Sequence, residues 1–188
     1  WFGVRVPVGP HLINTAFLID ALKGVGASSD DPAIQRALIF VSRSQNLEGA
    51  YDILEIAPKN PDGGFYYTPA NGGESQAGTT PNGGLRSYGS MTYSGLRSMI
   101  YAGVSANDPR VIAAVEWLGR HYTFAENPGM GDAGLFYYFH TAAKALHVLG
   151  QDQFIDTDGK AHDWRKDLVG VLLSAQQANG SWVNNNPR

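Results

Sequence analysis

The chain has 188 residues, 43% hydrophobic and 16% charged, with a formal net charge of −3 at pH 7. This composition suits a folded chain with a sizeable core and excludes the disordered class; its scattered Lys and Arg form no basic stripe for nucleic acid or an anionic membrane. No apolar run approaches the roughly 18 residues needed to span a bilayer, and the absence of cysteine excludes disulfides and thiolate metal sites.

The chain opens at Trp1 without a Met or signal-like segment and stops in VNNNPR. It therefore reads as a piece of a longer chain, with compartment and oligomeric state left open. Within it, one domain over 1–188 is expected, built from three related units at about 12–52, 88–127 and 136–182. Their first helices align as Thr15-Ala-Phe-Leu-Ile-Asp-Ala-Leu22, Thr92-Tyr-Ser-Gly-Leu-Arg-Ser-Met99 and Phe139-His-Thr-Ala-Ala-Lys-Ala-Leu146. Each reaches a glycine 11 residues after its first position, at Gly26, Gly103 and Gly150.

A second helix follows each glycine, predicted at Pro32–Ser44, Pro109–His121 and Trp164–Gln177. Asp31-Pro32 and Asp108-Pro109 place an N-cap acceptor before a proline whose missing N–H costs nothing at that position. The third copy starts at Asp163-Trp164 without the proline. Val111, Ile112, Val115, Trp117 and Leu118 recur at roughly helical spacing, and Leu168, Val169, Val171 and Leu172 make the last helix more apolar still. Between the first two units, 53–86 is rich in Gly, Pro, Asn and Thr. It reads as a surface insertion with a short hairpin at Gly64–Thr68. The remaining segments carry no strand pattern, so the fold class is all-α.

The second helices end in a shared signature. Leu172-Leu173 leads to Gln177 and then Gly180-Ser-Trp182; Phe40-Val41 leads to Gln45 and then Gly49-Ala-Tyr51. In the middle copy Trp117-Leu118 is kept, but Tyr122 replaces the glutamine. A glutamine there can satisfy orphan groups of the helix end, and the glycine permits a left-handed turn.

An aromatic-Leu pair followed by Gln and Gly-x-aromatic resembles the QW motif of squalene–hopene and oxidosqualene cyclases. The helix pairing resembles the β subunits of protein prenyltransferases. Over Pro10 to the C-terminus the chain is similar to bacterial prenyltransferase and squalene oxidase repeat proteins. The residues that carry this are Gly83–Tyr93, Asp108–Val111, Asn127–Gly131 and Gly180–Asn184. The resemblance implies an (α/α) toroid with inner helices lining a central cavity; a closed ring in that family needs twice the hairpins present here. It also implies binding of a hydrophobic, isoprenoid-like ligand on the inner-helix face.

The acid motif of the cyclases, Asp-x-Asp-Asp, has no counterpart here, since Asp30-Asp31 runs into Pro32 and reads as a cap. Phe139-His140-Thr141 looks like the zinc-binding histidine of the prenyltransferases. The positions matching that family's Asp and Cys ligands are Ser90 and Thr92, a neutral pair unsuited to zinc. No cofactor or metal is expected. Two further readings stand beside ligand binding. One is a cyclase-like isomerase or prenyltransferase with its acid or metal motif elsewhere in a longer chain. The other is a protein-interaction scaffold of stacked hairpins.

Several residues could form a site. His140 has Ala16 and Tyr93 as its copies, and Lys144 and His147 follow on the same helical face. These three basic side chains could hold an anion such as a diphosphate; alternatively His140 bonds locally and Lys144 faces water. Tyr88, Tyr93, Phe136, Tyr137, Tyr138 and Phe139 could line an isoprenoid cavity or simply fill the core. Arg86 and Ser87, beside the N–H groups of Gly89–Met91, suggest a second anion site at a helix N-terminus, or an arginine tied to a loop carbonyl. Asp132 could act as an acid or as a cap. Asp62 belongs to a turn, and Asp156-Thr-Asp158-Gly159-Lys160 is half of a calcium loop or a polar turn.

Overall fold

The computed structural model describes residues 9–184 and 186. Trp1 and three residues of the terminal run (185, 187 and 188), from which a longer chain is expected, lie outside the described residues. Among the described residues six α-helices form, α1 (Leu12–Gly24), α2 (Pro32–Arg43), α3 (Gly89–Tyr101), α4 (Pro109–Arg120), α5 (Leu135–Leu149) and α6 (Trp164–Ala175), with two short 3-10 helices at Ala57–Lys59 and Ala70–Gly72.

Local chemistry sets the helix limits. Asp31 Oδ1 accepts from the Ala33 N–H (2.8 Å), Asp108 Oδ1 from Arg110 (2.9 Å) and Asp163 Oδ1 from Lys166 (3.2 Å). Each acceptor satisfies an orphan donor, a contribution of about 1 kcal/mol. At the other ends of α1, α3 and α5, Gly26, Gly103 and Gly150 take φ of 87°, 78° and 75°, a left-handed turn that glycine adopts without strain.

α3 lies between α1 and α5 and packs on both. α2, α4 and α6 pack on α1, α3 and α5 respectively, and α2 also meets α3. The core is centred on α3, whose residues Gly89–Met99 are all buried. Leu12 and Ile19 from α1, Ala142 and Leu146 from α5, and Val111 and Trp117 from α4 close around it. Gly95 is required by this packing: a Cβ there would lie 2.5 Å from the Phe65 ring.

That contact corrects the reading of 53–86 as a surface insertion. Phe65 and Tyr66 are fully buried and Leu85 nearly so, because an aromatic pair in a long connection gains more from the core than from solvent. The segment's backbone polar groups find partners where they enter. Phe65 N–H donates to Thr92 Oγ1 (3.1 Å), and Asn46 Nδ2 donates to the Leu85 carbonyl (2.7 Å) and Ser87 Oγ (2.9 Å). The hairpin expected at Gly64–Thr68 does not form; Thr68 pairs with Glu74 instead, and Phe65 with Gln45. A second departure is a two-residue antiparallel pair, β1 (Phe154–Ile155) and β2 (Ala161–His162). Its turn is held by Asp156, whose carboxylate accepts from Asp158 and Lys160 N–H and pairs with His162 Nε2 at 2.8 Å.

The shared helix-end signature works across units. Gln45 Nε2, at the end of α2, donates to the carbonyls of Gly63 and Arg110, both at 2.8 Å, and so ties α2 to the first turn of α4. Tyr122, the middle copy's replacement, donates to Asp167 Oδ2 (2.8 Å) and ties the end of α4 to the first turn of α6. Among the described residues the Gln177 side chain reaches only the Ala175 carbonyl of its own helix (3.3 Å).

Candidate functional site

One charged group spans α1, α3 and α5. Arg97 is 1% exposed, and its Nε lies 3.1 Å from Asp20 Oδ1. The second Asp20 oxygen meets Lys144 Nζ at 3.4 Å. Despite the short approach, Arg97 Nε, Arg97 Nη1 and Asp20 Oδ1 make no properly directed hydrogen bond among the described residues. An ion pair with misaligned donors recovers only part of the desolvation cost of burying a guanidinium.

His140 stands beside this group on α5. Burial lowers its pKa, the Lys144 ammonium and the Arg97 guanidinium lower it further, and the Asp20 carboxylate opposes them. Burial first, and then the neighbouring positive charges, favour the neutral imidazole. Three residues before Asp20, Arg97 and His140 the surroundings change. Phe17 packs edge-on against Tyr137 with ring centroids 5.9 Å apart, and Ser94 Oγ lies 3.2 Å from the Tyr137 hydroxyl. An aromatic layer thus sits over a charged one, and Phe17 keeps 43% of its surface exposed.

Of the residues singled out from sequence, His140 and Lys144 belong to this face. His147 is exposed further along α5 and makes no side-chain hydrogen bond among the described residues. Tyr88, Tyr93 and Tyr138 are buried in the core around α3. Tyr138 donates to the Thr123 carbonyl at 2.5 Å, whereas the Tyr93 hydroxyl, on a ring 5.7 Å from that of Tyr138, has no directed hydrogen bond among the described residues. Burial raises the pKa of both phenols, which stay protonated.

Arg86 donates through Nε to the Thr79 carbonyl (2.9 Å). At the start of α3, where a second anion site was suggested beside it, two of the donors are already engaged. Gly89 N–H donates to the Pro128 carbonyl (2.9 Å) and Ser90 N–H to Asn127 Oδ1 (3.0 Å), leaving those donors no free direction. Asn127 also donates to Ser90 Oγ (3.3 Å), while Thr92 Oγ1 donates to the Tyr88 carbonyl (3.0 Å). The pair matched to the zinc-binding Asp and Cys is thus absorbed in buried structural bonds. Among the described residues no three or more His, Cys, Asp or Glu are disposed to hold a metal. Asp132 caps nothing: α5 begins after Gly134 without a side-chain cap, because the left-handed glycine (φ 66°) already turns the chain.

Asp20 and Arg97 were missed as site residues, although a signal was present. In the aligned first helices they occupy the same position as Lys144, so the repeat itself brings the three together. Among the described residues no helix is long and apolar enough to cross a membrane. Comparison of the chain with protein-family models, with curated proteins and with solved structures finds no match.

Proposed function

We propose that the chain is part of an (α/α) toroid of the prenyltransferase and squalene-cyclase repeat kind, and that the face formed by α1, α3 and α5 binds an isoprenoid-like ligand with an anionic head. The packing order supports the toroid: one layer of first helices side by side, with each second helix behind its partner. The observation that carries the function is Arg97, a guanidinium buried to 1% exposure whose Nε and Nη1 have no directed acceptor among the described residues. Arg97, Lys144 and protonatable His140 outweigh the single Asp20 carboxylate, so the group favours an anion. The Phe17–Tyr137 layer offers apolar surface one turn away for a hydrocarbon chain. No acid motif or metal set accompanies these residues, so the reading is of binding without a complete catalytic apparatus.

Calorimetric titration with farnesyl diphosphate tests this reading. Binding to the wild type, weakened about tenfold or more by His140→Ala with Lys144→Ala, supports it. Unchanged affinity in the double variant, or no binding to the wild type, refutes it.

A further inference from the structure

A cavity of about 340 Å³ lies between α5, α6 and the segment that follows α6. Its walls include the rings of Phe124, Phe136 and Phe139 together with Leu135 and Val171, and Asp132 stands at its rim. Phe124 and Phe136 each meet Phe139 edge-on, with ring centroids 6.2 Å apart. The volume falls within the range of small-ligand pockets, and the lining is the expected mix of apolar wall and few polar groups.

Its charge is one-sided. Among the described residues no Lys, Arg or His lines the cavity, and Asp132 is the one ionisable side chain in its lining. The Asp132 carboxylate makes no hydrogen bond or ion pair among the described residues and caps no helix. An unengaged carboxylate beside three phenyl rings suits a cation with an apolar body. The carboxylate supplies Coulomb attraction and the rings supply their quadrupole, while a neutral ligand of the same shape would gain neither. The Arg97–Lys144 group has the opposite preference, so the two sites would not compete for one head group.

We propose that this cavity binds a small apolar cation, a protonated amine or quaternary ammonium compound, independently of the ligand assigned to the α1–α3–α5 face. The test is a pair of titrations with choline and its neutral isostere neohexyl alcohol, in which carbon replaces the nitrogen. The wild type should bind choline about tenfold more tightly than the alcohol. Asp132→Asn should lower that preference, and Ala175→Phe, which fills the cavity, should abolish binding of both with helical circular dichroism unchanged. Equal affinities for the two probes, no choline binding in the millimolar range, or choline binding that survives Ala175→Phe would each overturn the proposal.

Discussion

Arg97 and Asp20 are 3.1 Å apart yet share no directed hydrogen bond, in a group where Arg97 is 1% exposed. Breaking a buried pair costs more than replacing it, because the survivor keeps its desolvation penalty. Asp20→Asn should lower unfolding free energy by about 3 kcal/mol, whereas Asp20→Leu combined with Arg97→Met should come within about 1 kcal/mol of wild type. Lys144→Met, at the half-exposed end of the group, should cost less than about 1 kcal/mol. Chemical denaturation of the four proteins checks the order. A single Asp20→Asn variant as stable as wild type would mean that the pair is not the constraint described.

Gly95 should resist the substitution that helix propensity favours. Ala would gain about 1 kcal/mol as a helix former. Its Cβ, however, would meet the fully buried Phe65 ring at 2.5 Å, an overpacking that costs about 1–3 kcal/mol. Gly95→Ala should therefore destabilise, and Gly95→Ala with Phe65→Leu should recover part of the loss. A more stable Gly95→Ala protein by thermal melting would show that the insertion does not enter the core at this point.

Two copies of one signature should behave differently. Gln45 is buried and joins α2 to Gly63 and Arg110, so Gln45→Ala removes two hydrogen bonds from a buried amide and should cost about 2 kcal/mol or more. Gln177 is exposed and bonds only its own helix end, so Gln177→Ala should stay within about 0.5 kcal/mol. Equal effects in denaturant titrations would remove the cross-unit role given to Gln45.

His140 gives a pH dependence with a defined sign. Its folded-state pKa lies below the ordinary 6.5, so the unfolded chain binds more protons as pH falls through 6.5. Relative to His140→Gln, the wild type should lose stability on acidification through 6.5 and level off below the folded-state value. A bound anion removes the excess positive field and raises the pKa, so binding takes up a proton. Affinity for farnesyl diphosphate should rise through the same window more steeply in wild type than in His140→Gln. Parallel profiles would separate His140 from the anion.

The fold was largely legible because its signals are local. Asp-Pro starts at Asp31 and Asp108, and glycine ends at Gly26, Gly103 and Gly150, act within one turn of chain. The fate of 53–86 was not legible, since its composition is that of a surface loop and only the gap above Gly95 takes in Phe65. The site was half legible. His140 and Lys144 stood out as basic residues on one face, but Asp20 and Arg97 looked like ordinary helix charges when read singly. Only comparison at the same repeat position joins them. For Arg86 and Asp132 the sequence left two readings each: the bond to the Thr79 carbonyl fits the loop-arginine reading of Arg86, and the left-handed backbone at Gly134 leaves Asp132 without a capping role.

The most direct test of the α1–α3–α5 face is to map where a photoreactive farnesyl diphosphate attaches, by mass spectrometry of the labelled protein. The account predicts adducts on peptides containing Phe17, Ser94 or Tyr137, competed by unlabelled farnesyl diphosphate and reduced in the Asp20→Leu, Arg97→Met protein. Labelling confined to other elements, or labelling that the unlabelled ligand does not reduce, would contradict it.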